Sequence, residues 1–493
     1  MEINYRNGLK LAEEIDRPGL LPLVYTADKC PDPAKLYFGL RRRSSLSYLL
    51  ESARGQGEIS RYSVLGCDPL LYLKVKTGKC QILGRQDFVD MVRRFPIREN
   101  EDPLKIFERI MLLKKMRFPK GASRYMLGIV GYISYDYVRT MFNVGMNAAD
   151  DLKQPQLELM LPERMVIIDH FAHKTHYCSL LALSDTSDPQ LAFARAKSKL
   201  EDLVTIKEND PKIENLGPIS IRSNFTREEY ERQVNRAKEY IRSGDIIQVV
   251  LSRRIEFNSP PPLEHFFLNL RKINPSPYMF FLDFPERCIV GSSPEILLRV
   301  CGRKVITRPI AGTRRRGTDR EDDDAMEQDL CADEKERAEH TMLVDLGRND
   351  LGRVSKFGSI KVTSFMKVEK YSQVQHLVSN IEGELREDAD ALDAFRAAFP
   401  AGTVTGAPKL RAMEIIEELE PVRRGIYAGA IGTFSYIGDA DFAITIRTLV
   451  CEKSKAYVQV GAGIVADSVP WKEYYETENK ARALLMAAGL RSG

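Results

Sequence analysis

Through residues 1–185 apolar and polar positions mostly alternate in short runs broken by turn residues, the pattern of half-buried β-strands. Representative runs are 47–50, 62–65, 70–75, 164–169 and 175–183, most of them placed to pair as antiparallel hairpins. One helical periodicity interrupts them near 103–116. A further helical segment, near 189–205, gives way to TIKENDPKIENLGPISIRSN, a polar stretch with two prolines that reads as a linker. The chain therefore divides into a β-rich region, 1–215, and a second domain, 216–493.

Beyond the linker, Thr226 and Glu229 form a T-x-x-E capping box, in which hydroxyl and carboxylate satisfy the free N–H groups of a helix start, and Gly244 can end that helix. A strand over 246–255 follows. The β-rich runs 427–436, 441–451 and 456–465, joined by Gly438-Asp439 and Lys453-Ser454-Lys455, predict a three-strand antiparallel meander. A closing helix spans 473–488. Strands and helices do not alternate in βαβ fashion, so the fold class expected is α+β, sheet-rich, with large antiparallel sheets flanked by helices. No fixed-period repeat is present.

Composition narrows the class. A chain of 493 residues exceeds one compact core, and 43% hydrophobic content without a long unbroken apolar run argues for a globular rather than membrane-spanning protein. Lys and Arg total 73 against 69 Asp and Glu, too even a balance to favour nucleic acid or anionic lipid. The start, MEINYRNGLKLAEEIDRPG, lacks an apolar core and carries acidic residues, so neither a secretory signal nor a transit peptide is expected. Eight cysteines without C-x-x-C spacing suit reduced thiols, and the expected location is the cytoplasm.

Two Glu-x-x-Glu motifs, Glu336 with Glu339 and Glu473 with Glu476, each place two carboxylates on one helical face, and four such oxygen donors suit Mg²⁺. Either pair alone reads far more readily as a solvated helix face. Lys480, four residues after Glu476, adds a cation to the second face, so metal and lysine together would make a carboxylate clamp. A second constellation runs through the glycine-bearing stretch 400–409, then Tyr427, Arg447, Gly461 and Gly463: glycines admit an anion to backbone N–H groups, and Arg447 offers a bidentate fork. Turn glycines and an ordinary ion-pairing arginine account for the same residues singly. Together the two anion sites imply a dianionic substrate.

Gly461 to Ala466 also fits the G-x-G-x-x-G/A dinucleotide pattern, but no βαβ unit surrounds it and Asp467-Ser468-Val469-Pro470 intervenes before the next helix. The stretch 402–409 misses P-loop spacing. His170, His173 and His176 straddle a predicted hairpin turn and read as surface rather than as metal ligands. His376 sits in an apolar strand-like run, where a satisfied core histidine is the ordinary reading.

Taken together these segments resemble the chorismate-utilising enzymes, and among them the anthranilate synthase component I group, over essentially the whole chain. The resemblance lies in Ile310-Ala311-Gly312-Thr313, DEKERAEHTMLVDLGRN over 333–349, and the stretches 402–415, 427–433, 461–464 and 473–480, in the family's order. It implies a cleft for chorismate. Glu336, Glu339, Glu473 and Glu476 would hold Mg²⁺, which with Lys480 would grip the ring carboxylate; Tyr427, Arg447 and the Gly463 backbone, beside Gly461, would hold the enolpyruvyl carboxylate. Glu295 would be the general acid for the departing C4 hydroxyl. Thr313, Thr403 and His376 would line the ring, with His376 linked to pyruvate elimination.

Two positions select among relatives. Where isochorismate and salicylate synthases carry a water-activating lysine this chain has Gln248, and where aminodeoxychorismate synthases commonly carry a nucleophilic lysine it has Ala311. The resemblance therefore implies direct attack by ammonia, giving anthranilate and pyruvate, with aminodeoxychorismate synthase and a non-catalytic tryptophan-binding relative as alternatives. No cysteine has a nucleophile-elbow context, so ammonia would come from a separate glutamine amidotransferase subunit, in a heterotetramer of two large and two small subunits. Leu49 to Ala53 and Asn274 to Met279 look like the family's tryptophan feedback motifs. Glu51 and Ser52, with Pro277, Tyr278 and Met279, would form that inhibitory site in the N-terminal region.

Overall fold

A computed structural model describes residues 8–14, 17–52, 61–94, 101–105, 108, 115–116, 128–211, 219–371 and 374–490. Its strands join into one hydrogen-bonded network. The trunk of that network is an antiparallel pair, Tyr62–Lys76 with Leu157–Asp169, whose register slips where Pro69 opposes Pro162. A proline cannot donate to the ladder, and Asp68 takes a positive φ of 52°, so the pair bends there and each half feeds a different arm of sheet.

In the first arm, Ser47–Glu51 borders the early half of Tyr62–Lys76, then come Tyr278–Phe284, Arg287–Ser293, Thr448–Glu452, Lys455–Ile464 and Gln248–Phe257. In the second arm, Gly128–Ile133 borders the early half of Leu157–Asp169, followed by Ala430–Ser435, Ala440–Ile444, Ile296–Cys301, Lys304–Thr307, Val374–Glu384 and Lys361–Lys370. Two ladders thus join strands from either side of residue 215: Glu51 opposes Met279, and Gly131 opposes Gly432.

Helices Pro33–Arg41, Leu263–Ile273 and Pro470–Ala487 cover the first arm over a core that includes Phe38, Phe267, Phe281 and Leu484. The second arm packs Phe434 and Phe442 with ring centroids 4.5 Å apart, and Phe395 of Ala391–Ala398 lies 5.0 Å from Phe442. Truncating a ring buried like Phe442 costs about 3–5 kcal/mol.

Local signals translate well. The capping box forms, with the Glu229 N–H donating to Thr226 Oγ1 at 3.2 Å and the Thr226 N–H to Glu229 Oε2 at 2.8 Å. Gly244, at φ 83°, follows helix Arg227–Arg242. The segments expected near 189–205 and 473–488 are helices Pro189–Val204 and Pro470–Ala487.

Three expectations change. The runs 62–65 and 70–75 belong to one bent strand rather than to two short ones, because the partner strand spans both. The helix expected near 103–116 lies largely outside the described residues; 103–105 are helical, whereas Lys115–Met116 is a strand. The expected meander is instead two hairpins in different arms. The chain leaves the second arm after Ile444 and enters the first at Thr448, so that Ala440–Ile444 pairs with Ile296–Cys301 and never with Thr448–Glu452. Arg447, at φ 52°, makes that crossing.

Candidate active site

The chain passes between the arms twice at adjacent places. Arg287–Ser293 leads through Pro294 and Glu295 into Ile296–Cys301, and Ala440–Ile444 leads through Arg447 into Thr448–Glu452. The crossings are bonded to one another: the Ile444 N–H donates to the Glu295 carbonyl at 3.0 Å and the Ser292 N–H to the Arg447 carbonyl at 3.1 Å. Two charged side chains are thereby fixed at one seam. A bulky residue at positive φ costs about 1–3 kcal/mol and persists only where its surroundings over-determine it.

Glu295 is buried, and burial pushes its carboxyl up to about 7, against the opposing pull of Thr403, the Ile310 N–H and the Lys480 charge. A carboxyl at that value keeps its proton in about half of the molecules at neutral pH and can donate it. The Thr403 hydroxyl is buried and makes no well-formed hydrogen bond with the protein.

Opposite the acid lies a cationic wall. Arg447 Nη1 donates to the Lys480 carbonyl at 2.9 Å, and Lys480 Nζ to the Gly461 carbonyl at 2.9 Å. Burial lowers the Arg447 pKa, countered by Tyr427 and Glu476, yet a guanidinium remains charged. Tyr427 is buried with its phenol raised to about 12, and the Arg424 guanidinium, bound to Glu420 at 2.6 Å, supports it from behind. Both glycines are required by close approach: a Cβ at Gly461 would meet Tyr427 Oη at 2.8 Å, and one at Gly463 would meet Gln248 Nε2 at 2.8 Å.

The four glutamates project from two helices, Glu334–Gly352 and Pro470–Ala487. Burial raises Glu339, and the charges of Glu336 and Glu476 raise it further; burial and Glu476 likewise raise Glu473. Burial also raises Glu336, against the pull of Arg314. Glu476 is lowered overall, because Lys480, 2.7 Å away, outweighs its burial. An oxygen-only donor set with surplus buried negative charge fits a hard divalent cation. The carboxylates are not drawn onto one point: Arg314 lies 3.4 Å from Glu336, Gln248 donates to Glu339 at 3.3 Å, and among the described residues no three His, Cys, Asp or Glu groups close on a single centre.

His376 stands opposite Thr313 on paired strands. Its Nδ1 lies 3.0 Å from the Gly312 carbonyl and 3.0 Å from Thr313 Oγ1. The carbonyl can only accept, so Nδ1 carries the proton and Nε2 keeps its lone pair. Burial lowers the His376 pKa, which keeps the ring neutral. Ala311 lies on the same strand as Thr313, Ile310–Arg315, and its methyl group offers no nucleophile.

The N-terminal set is assembled separately. Glu51 and Met279 are direct cross-strand partners, with Ser52 beside them and Pro277 just before the strand. Burial pushes the Glu51 carboxyl up to about 7 although Arg271 lies 2.7 Å away, and its Oε2 is buried without a hydrogen bond. Tyr278 alternates to the other face, where its hydroxyl donates to Asp441 Oδ1 at 2.6 Å. His170 and His173 lie at the turn between Leu157–Asp169 and Lys174–Leu183, whereas His176 lies within the latter strand, bonded to Thr26 at 2.8 Å.

Three supporting groups went unread in the sequence. Arg314 sits in an arginine run beside Thr313, Arg424 lies three residues before Tyr427, and Lys409 ends the Gly406-Ala407-Pro408-Lys409 stretch and pairs with Asp350 at 2.7 Å. Proximity to a motif was the available signal in each case.

A model of the chorismate binding enzyme family matches residues 47–486. Anthranilate synthase component 1 of Aquifex aeolicus is 43% identical over 468 residues, covering 92% of each chain. The crystal structure of anthranilate synthase component I from Streptococcus pneumoniae superposes with a TM-score of 0.73 at 36% identity, covering 87% of this chain and 95% of that one. The menaquinone-specific isochorismate synthase of Escherichia coli shares the fold, with a TM-score of 0.73 at 20% identity over 98% of this chain and 99% of its own.

Proposed function

Because the chain belongs to the chorismate binding enzyme family, we propose that its seam joins ammonia to chorismate and releases anthranilate and pyruvate. The observation that carries this reading is the buried Glu295 carboxyl, raised to about 7, on a crossing bonded to that of Arg447, which is tied in turn to Lys480 and Gly461. Chorismate has two carboxylates and a hydroxyl that must leave as water, and the seam supplies a partner for each.

Arg447, Tyr427 and the Gly463 backbone bind the enolpyruvyl carboxylate, and Lys480 orients the ring carboxylate. Mg²⁺ held by Glu336, Glu339, Glu473 and Glu476, directly or through water, would supply charge neutralisation at that ring carboxylate. Ammonia attacks C2 while Glu295 donates its proton to the C4 hydroxyl, which departs as water. Elimination then breaks the C2–H and C3–O bonds: the neutral His376, with its Nε2 lone pair, takes the C2 proton, and the departing enolpyruvate takes it up at its methylene carbon to become pyruvate. Gln248, engaged with Glu339, is no base for water, and Ala311 forms no covalent adduct.

The reading extends to a glutamine amidotransferase subunit as ammonia source, to feedback inhibition by tryptophan bound at Glu51, Ser52, Pro277 and Met279, with Tyr278 turned to the other face, and to a cytoplasmic setting. Supporting these are the buried, unpaired Glu51 Oε2, suited to a ligand ammonium, and eight cysteines that form no disulfide. No helix among the described residues is long and apolar enough to cross a membrane. The test is fluorescence of purified protein with chorismate, ammonium chloride and Mg²⁺: anthranilate emission is expected, and folded protein that produces none overturns the reading.

A further inference from the structure

The general acid of this reaction must regain a proton after every turnover, yet Glu295 is buried. Glu295 also lines a small, partly open cavity of about 30 Å³, together with Thr403 and Asp350, and none of Tyr427, Arg447, Gly461, Gly463 or Lys480 borders it. One water needs about 10–15 Å³ and two or more polar partners. Three of its lining residues, Glu295, Thr403 and Asp350, carry polar side chains, and Leu343, Leu346 and Ala398 line it with apolar ones.

Asp350 belongs to helix Glu334–Gly352, and an outward face of the same helix, formed by Asp345, Arg348, Asn349 and Gly352 with Arg353, borders an open depression. Its carboxylate is bound by Lys409 at 2.7 Å, and Lys409 also donates to the Ala398 carbonyl at 3.4 Å. The groups that face Glu295 are Thr403, the Ile310 N–H and Lys480; those that face Asp350 are Lys409 and Arg353. Burial raises Asp350, and both cations oppose that shift.

We propose that a water bound in this cavity by Thr403 returns protons from Asp350 to Glu295, making Asp350 and Lys409 positioning residues for the acid step. The proposal rests on Glu295 as the acid of the reaction above. Each turnover moves one proton inward: the Asp350 carboxyl gives it to the water, the water gives one to the Glu295 carboxylate, and solvent restores Asp350. Only O–H bonds are made and broken. The proton released when the C2 ammonium becomes an amine leaves on the substrate side and balances the account.

The test compares the parent chain with Asp350→Asn and Ala398→Val, assayed with chorismate, ammonium and Mg²⁺ in H₂O and in D₂O. Asp350→Asn removes the acid but also weakens the Lys409 pair, whereas Ala398→Val fills the cavity and leaves both charges in place. Slower reprotonation lowers kcat by roughly tenfold in each variant, with chorismate KM within about twofold and a larger solvent deuterium effect on kcat. A lower kcat with the parent's isotope effect indicates a merely structural pair and overturns the relay, as does full activity in both variants. A parent chain that makes no anthranilate overturns the reaction itself, a result distinct from either.

Discussion

Arg447 donates from Nη1 to the backbone carbonyl of Lys480 at 2.9 Å, tying the crossing between the two sheet arms to the helix that carries Glu473 and Glu476. One arginine therefore ties the seam to the acidic helix, and in the proposed reaction the same side chain would hold a substrate carboxylate. Lys480 completes the circuit through Glu476 and Gly461.

Arg447→Lys tests that double role. Lysine keeps a charge but loses the fork, and charge-assisted hydrogen bonds are worth about 1.5–3 kcal/mol, so kcat/KM for chorismate should fall roughly 10- to 100-fold. Steady-state kinetics decide it; an unchanged chorismate KM would remove Arg447 from the carboxylate grip.

Glu295→Gln should lower kcat by about 10²- to 10⁴-fold while chorismate still binds. In the parent, kcat should decline as pH rises through about 7, where this carboxyl ionises. Stability follows the same group. Its folded pKa is raised above the unfolded value, so its contribution is complete below the ordinary glutamate range and is lost as pH rises through about 7. Relative to the parent, Glu295→Gln should then raise Tm at pH 8 more than at pH 5, read by calorimetry; equal differences at both pH values would show that the carboxyl is not held protonated.

Glu339→Ala and Glu476→Ala should abolish turnover with the circular dichroism of the parent preserved. EDTA should silence the parent and Mg²⁺ restore it, while Mn²⁺ titrated calorimetrically should bind the parent and not the double variant. Near-normal rates in either single variant would show that these carboxylates hold no essential ion.

Ser52→Phe should relieve tryptophan inhibition without reducing activity in its absence, because Ser52 adjoins Glu51 on a strand that Tyr278–Phe284 separates from the seam residue Ser292. Calorimetry should show tryptophan binding lost. Unchanged inhibition would place the inhibitor elsewhere.

The local and the chemical were legible along the chain. The Thr226 capping box, the closing helix and the hairpin at 170–173 depend on neighbours within a few residues, and the Glu-x-x-Glu spacing puts two carboxylates on one helix face whatever lies opposite. The family's motifs, quoted in order, were enough to point to chorismate. Tertiary structure decided what depends on long-range pairing. Periodicity reports which face of a strand is buried and not which strand lies beside it, so 441–451 read as one strand although Arg447 divides it between two arms. The same limit hid the seam, where Glu295 and Arg447, 152 positions apart by their numbers, become neighbours through Ile444 and Ser292. It also hid the desolvation that raises the Glu295 carboxyl, since a side chain's pKa is set by what surrounds it in space and not by the residues beside it in the chain.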